Sequence, residues 1–237
     1  FDQYLKLTAK IPFGKEGKIN TMAALRRQLL LDQAENKAEV LINIITELVH
    51  EENFYWTLVY CPKGRLDDQD EDRIIHYLGE KASKKFPSLN IQFFVGETKD
   101  RDLLLKDFEK KIVHMLFAIK VLDEGVNVLM AQNAIFLASG KNYREFVQRR
   151  GRILRKYKTE EYEKSQANIF DIVVLPTLKQ YNSNKTTAKK LIIAEFRRLF
   201  EFYKMSIPNE ATFWKIENEL KKFGLTQYYI ENLIENE

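Results

Sequence analysis

From Phe54 to Leu175 the chain alternates short apolar, β-branched and aromatic runs with polar stretches of helical periodicity. That alternation is the strongest constraint on its fold. FYWTLVY (Phe54–Tyr60), closed by Pro62 and Gly64, reads as a buried strand. Further strands are predicted over Ile91–Val95, Ile112–Ile119, Ala134–Ala138 and Ile169–Leu175, with helices over Asp70–Lys85, Asp100–Lys110 and Tyr143–Arg150. Strands alternating with helices of this length predict βαβ units, and so a doubly wound parallel sheet with helices on both faces.

The flanks differ from this centre. Ala23–Leu48 carries apolar residues at helical spacing with no glycine or proline, which predicts one long or two consecutive amphipathic helices packed on the core as a connector. Past Leu175, LKQYNSNKTTAKK is polar and turn-prone. From Leu191 onward the pattern is helical, with aromatic anchors at Phe196, Phe200, Phe202, Tyr203, Phe213 and Trp214. The expected organisation is a connector over 1–50, an α/β domain over 51–180 and a helical extension over 181–237.

Charge is concentrated rather than general. The whole chain is +4, yet Lys141–Lys158 holds eight basic residues and one acidic, a local +7 that leaves about −3 for the rest. Its centre is Gln148-Arg149-Arg150-Gly151-Arg152-Ile153-Leu154-Arg155. Arginine is permanently charged and its planar fork matches phosphate, so this density points to a polyphosphate ligand. If the segment is helical, Gln148, Arg152 and Arg155 share one face at i, i+4 and i+7. The alternative is a solvated basic face. Asp123-Glu124-Gly125-Val126-Asn127 follows the Ile112–Ile119 strand. In open α/β sheets ligands gather at loops leaving the carboxyl ends of strands.

Other chemistry is excluded or unsupported. One cysteine, Cys61, allows no internal disulfide, and three scattered histidines, His50, His76 and His114, give no zinc spacing. No apolar run approaches the ~20 residues that span a bilayer, so a soluble, cytoplasmic protein without membrane partners is expected. The opening at Phe1 suggests a domain of a larger polypeptide.

Three elements in order carry a family resemblance: WTLVYCPKG, VLDEGVNV and QRRGRILR, with ETKDRDLLLKDFE between the first two. They resemble motifs IV, V and VI of the second RecA-like domain of superfamily 2 helicases and translocases. The phrasing is closest to the branch holding the repair helicase XPB and the type I and type III restriction motors. The resemblance implies an ATP-dependent motor acting on DNA or RNA. ATP and magnesium would be held mainly by an N-terminal RecA-like domain of the same polypeptide. Arg152 and Arg155 match the arginines that reach the γ-phosphate, and Gln148 a phosphate-sensing residue. Gly125 and Asn127 match positions near the ribose; the family more often has Asp at the latter, and Asn127 keeps an oxygen acceptor without the charge.

Lys63, Gly64, Thr98 and Lys120 fall where relatives grip the nucleic-acid backbone, a salt-sensitive and sequence-independent contact. Individually, Lys63 also reads as a turn lysine and Thr98 as a helix cap. The phosphate loop GxxxxGK[ST] of the first domain is absent, since Phe13-Gly14-Lys15-Glu16-Gly17-Lys18 lacks its spacing. This chain alone is therefore expected not to hydrolyse ATP. Two further classes remain open: a non-catalytic RecA-like binding module, and another doubly wound enzyme such as a nucleotide-sugar transferase.

Overall fold

The computed structural model describes residues 1–11, 21–34, 36–62, 73–119, 128–137, 155–159, 162–203, 206–207, 209 and 210–235. Contacts divide it into two units, one of Thr21–Ile172 and one of Phe1–Asn20 with Val173–Glu237.

The larger unit holds helices α2 (Thr21–Asp32) and α3 (Lys37–His50), then β1 (Thr57–Tyr60), α4 (Arg73–Lys85), β2 (Ile91–Phe94), α5 (Arg101–Glu109), β3 (Met115–Ala118) and β4 (Asn133–Phe136). A short antiparallel hairpin, β5 (Tyr157–Lys158) and β6 (Glu163–Lys164), precedes β7 (Asn168–Asp171). The five long strands form one parallel sheet in the order β2-β3-β1-β4-β7. The central three are buried at every position, whereas the edge strands β2 and β7 are partly exposed. That gradient explains why the central strands read as unbroken apolar runs.

Side-chain alternation sorts the two faces. Val59, Met115, Phe117 and Ile135 pack with Leu41, Ile45 and Leu48 of α3 and Ile75, Leu78 and Ala82 of α4 in one core. Phe94 points the other way, and the Arg101 guanidinium at the start of α5 lies 5.6 Å from its ring centre. The crossover from β1 to β2 runs one way across the sheet and that from β2 to β3 runs back. Right-handed crossovers then require α4 and α5 on opposite faces.

Of the two expectations for Ala23–Leu48, one long helix or two consecutive ones, the structure has the second, parted after Asp32. The strand predicted from Ile112 begins only at Met115, because Lys111 takes a left-handed φ of 61° and turns the chain out of α5. At Gly79 helix α4 packs closely on the sheet. A Cβ there would meet the Phe93 ring at 2.3 Å, and that ring already touches His76 and Phe117. Gly79→Ala should therefore lower stability by ~1 kcal/mol, since overpacking outweighs the gain in helix propensity. Adding Phe93→Leu should restore the urea midpoint; failure to restore it would refute this packing account.

In the smaller unit α1 (Asp2–Lys10) buries Tyr4. The stretch read as turn-prone from its polarity instead forms α6 (Leu178–Ser183) and the start of α7 (Lys185–Tyr203). Local capping wins over composition here. Thr177 and Gln180 make a reciprocal capping box, and Asn184 accepts from the Thr187 amide at 3.0 Å. Helices α8 (Glu210–Lys221) and α9 (Gln227–Glu235) close on α7 around Phe196, Phe200, Ile216, Leu220 and Ile230. Gly224, at φ 67°, joins them in a turn where the Leu225 amide donates to the Leu220 carbonyl and the Gly224 amide to that of Lys221. Of the remaining aromatic anchors, Tyr203 packs against this core while Trp214 is exposed beside Phe213. No helix among the described residues is long and apolar enough to cross a membrane.

Candidate nucleotide and nucleic-acid site

Of the residues that sequence reasoning singled out, Thr98 and Arg155 are described. Lys63, Gly64, Lys120, Gly125, Asn127, Gln148 and Arg152, with the helix predicted over Tyr143–Arg150, lie outside the described residues.

Thr98 sits in the loop at the carboxyl end of β2, the edge of the sheet where ligands of open α/β folds gather. Its Oγ1 accepts from the Val95 amide at 2.8 Å and lies 3.4 Å from the Phe93 carbonyl, to which it donates. The hydroxyl proton is thus used inside the loop. It is not the helix cap: α5 begins at Arg101, and Asp100, at φ 52°, holds the capping position without a side-chain bond. Arg101 tightens the same loop by donating to the Gly96 carbonyl at 2.5 Å and the Val95 carbonyl at 3.2 Å.

Arg155 is exposed and forms no ion pair with another described residue. A bare, permanently charged guanidinium suits a phosphate ligand. It stands two residues before Tyr157, the first residue of the β5–β6 hairpin. This hairpin had no sequence expectation, although its signal is present: Lys158 and Glu163, directly opposed, form an exposed ion pair at 2.9 Å.

The hairpin is seated at the amino-terminal edge of the sheet. The Tyr157 hydroxyl donates to Glu109 Oε1 at 2.5 Å, at the end of α5. Tyr162 lies against Trp56, ring centres 4.4 Å apart, just before β1. Lys164, 3% exposed, donates to the Ala131 carbonyl at 2.9 Å, ahead of β4. Trp56 is itself fixed by donation from Nε1 to the Glu109 carbonyl at 3.1 Å, and the Lys111 ammonium lies 4.4 Å from its ring centre. Thr98 and the anchors of the Arg155 segment therefore lie at opposite ends of the strands.

Electrostatics separates working groups from inert ones. Burial pushes the Cys61 thiol far above its ordinary value, which makes it a poor nucleophile. Burial lowers the His114 pKa, and its Nδ1 accepts from the Asn90 amide at 3.0 Å between the Phe54 and Tyr55 rings, a structural role. The hydrogen bond to Glu109 raises the Tyr157 pKa first, with burial adding to it, so the phenol remains a donor. No cluster of three or more metal-ligating side chains occurs among the described residues.

Burial lowers the Lys164 pKa to about 8 from an ordinary 10.5. Between those values the unfolded chain binds the proton and the folded chain does not, so this contribution to stability rises with pH from about 8 to 10.5. Relative to Lys164→Met, the wild type should gain in urea midpoint between pH 7 and pH 9.5. A gap that stays constant would refute the shift.

Sheet order, crossovers and flanking helices define a RecA-like α/β domain. The family model of the helicase conserved C-terminal domain matches residues 36–157, just over half of the 237 residues, and the chain belongs to that family. Among solved structures, the Hef helicase domain of Pyrococcus furiosus is similar at 18% identity and a TM-score of 0.43, over 78% of this chain and 37% of that one. The C-terminal part of the Fun30 ATPase domain matches at 15% and 0.46, over 73% and 56%. Domain 2 of the DEAD-box helicase Mss116p, solved on an RNA duplex, matches at 14% and 0.45, over 71% and 75%. The chain thus spans well under two thirds of the first two. No curated protein matches the sequence.

Proposed function

We propose that this chain is the second RecA-like half of a superfamily 2 helicase or translocase acting on DNA, in the branch of XPB and the restriction motors. The observation that carries the reading is that the family match runs through the arginine segment to Tyr157, beside an exposed Arg155 free of described ion-pair partners. Arg155, with Arg152, supplies fixed positive charge to the terminal phosphate of ATP. Gln148, Gly125 and Asn127 complete this lobe's share of the nucleotide contacts. ATP, with magnesium held by the first domain, would supply the phosphoanhydride whose hydrolysis drives the motor.

Lys63, Gly64 and Lys120 grip the nucleic-acid backbone. Thr98 contributes by fixing the shape of the β2–α5 loop, since its hydroxyl is already engaged there. Without a phosphate loop of its own, this half depends on an N-terminal RecA-like domain, and closure of the two lobes couples turnover to movement along a strand. The setting is cytoplasmic, in DNA repair or restriction.

The test is nucleic-acid-stimulated ATP turnover by the full-length polypeptide, wild type against Arg155→Ala. Lost turnover with ATP binding retained supports the reading. Unchanged turnover would favour a non-catalytic module in which the arginine cluster clamps nucleic-acid phosphates.

A further inference from the structure

We infer that the β5–β6 hairpin is a positioning device for Arg155, clamped to the amino-terminal edge of the sheet by Tyr157 on Glu109 and Tyr162 on Trp56. The inference rests on the proposed role of Arg155 and deepens it.

The hairpin is too short to be stable by itself. Each strand has two residues, and an isolated two-stranded ribbon is marginal even when longer. The cross-strand ion pair of Lys158 with Glu163 is exposed and contributes little. What orders it is therefore the sheet edge beneath it. The contacts come from three separate elements: the end of α5 through Glu109, the residue before β1 through Trp56, and the residues before β4 through Ala131. Contacts spread over three elements fix orientation as well as position.

Chain geometry carries this constraint to the arginine. Two residues of extended backbone span at most ~7 Å, so fixing Tyr157 confines the Arg155 backbone to a small volume. An arginine that stabilises developing phosphate charge must be preorganised, because a misplacement of about 1 Å can cost ~100-fold in rate. Nothing else among the described residues holds Arg155. Trp56 gives the clamp a rigid floor: it is 6% exposed, takes a left-handed φ of 53°, and is bonded to the Glu109 carbonyl. Glu109 thus joins both halves of the clamp, its carboxylate holding Tyr157 and its carbonyl holding Trp56.

Two variants loosen the clamp without touching Arg155. Tyr157→Phe removes only the hydroxyl, and Tyr162→Ala removes the ring from Trp56. In the full-length polypeptide each is expected to lower the kcat for nucleic-acid-stimulated ATP hydrolysis about tenfold. KM for ATP should stay within about twofold and the thermal midpoint near the wild type's. Tyr162→Phe, which keeps the ring, should restore kcat. Arg155→Ala is run alongside. If it leaves turnover intact, the proposed function itself fails. If it abolishes turnover while both clamp variants keep the wild-type kcat, the positioning role is overturned. A fall in kcat that tracks the loss of folded protein, or that Tyr162→Phe does not reverse, overturns it as well.

Discussion

Arg155→Ala is expected to lower nucleic-acid-stimulated ATP turnover of the full-length protein by about 10³-fold or more while leaving ATP binding largely intact. An arginine offered to a transferring phosphoryl group contributes roughly 10³–10⁵ in rate, or at least ~4 kcal/mol of transition-state stabilisation. The effect falls on kcat because the charge it meets grows as the bond breaks. Ground-state binding comes mainly from the first domain's phosphate loop in this reading. Arg155→Lys should recover little, since a point charge on a flexible stem does not reproduce the planar fork. A variant that loses ATP affinity with kcat unchanged would make Arg155 a binding residue and remove the catalytic assignment.

The second large effect concerns the sheet. Asn133 is fully buried at the start of β4, where Nδ2 donates to the Asn53 carbonyl at 2.7 Å and to Thr57 Oγ1 at 3.2 Å. Its Oδ1 accepts from Asn168 Nδ2 at 3.0 Å. One amide therefore ties together the approach to β1 and the strands β1, β4 and β7. Asn133→Leu keeps the branched shape, though with a larger side chain, but strands the Asn53 carbonyl and weakens the pairing at Thr57. At ~1–3 kcal/mol for each unsatisfied group the loss should be roughly 3 kcal/mol. For a chain of this size that lowers the thermal midpoint by about 6–12 °C. Asn168→Ala should cost less, because Asn168 is exposed and water can enter in its place to reach the Asn133 oxygen. Equal effects from the two would show that the network is not centred on Asn133.

The sheet was legible because its central strands are buried on both faces. Val59, Phe117 and Ile135 had to be apolar, and so did Leu58, Leu116 and Ala134 one residue away. Strand ends were less legible. Lys111 turns the chain by backbone conformation, with nothing in its own chemistry to announce it. The small helical unit was half-read: hydrophobic spacing marks Phe196 and Phe200, while α6 rests on a capping box that polarity obscures. At the candidate site, the arginine cluster stood out because its local charge of +7 departs from the rest of the chain. The hairpin that holds Arg155 did not, because Tyr157 and Tyr162 find their partners about fifty and a hundred residues away, at Glu109 and Trp56. Long-range contacts of that kind leave no periodicity to read.

The register of the central strand bears on how the chain leaves the ribosome. Thr57 pairs with Met115 on one side and Asn133 on the other, so the apolar face of α3, carrying Leu41, Ile45 and Leu48, is made together with β1 but well before β3 and β4, which complete its cover. At ~5–20 residues per second, the roughly 100 residues from Lys37 to Phe136 take about 5–20 s to appear. During that interval the cover of the nascent α3 is incomplete, and its apolar stripe is open to a chaperone.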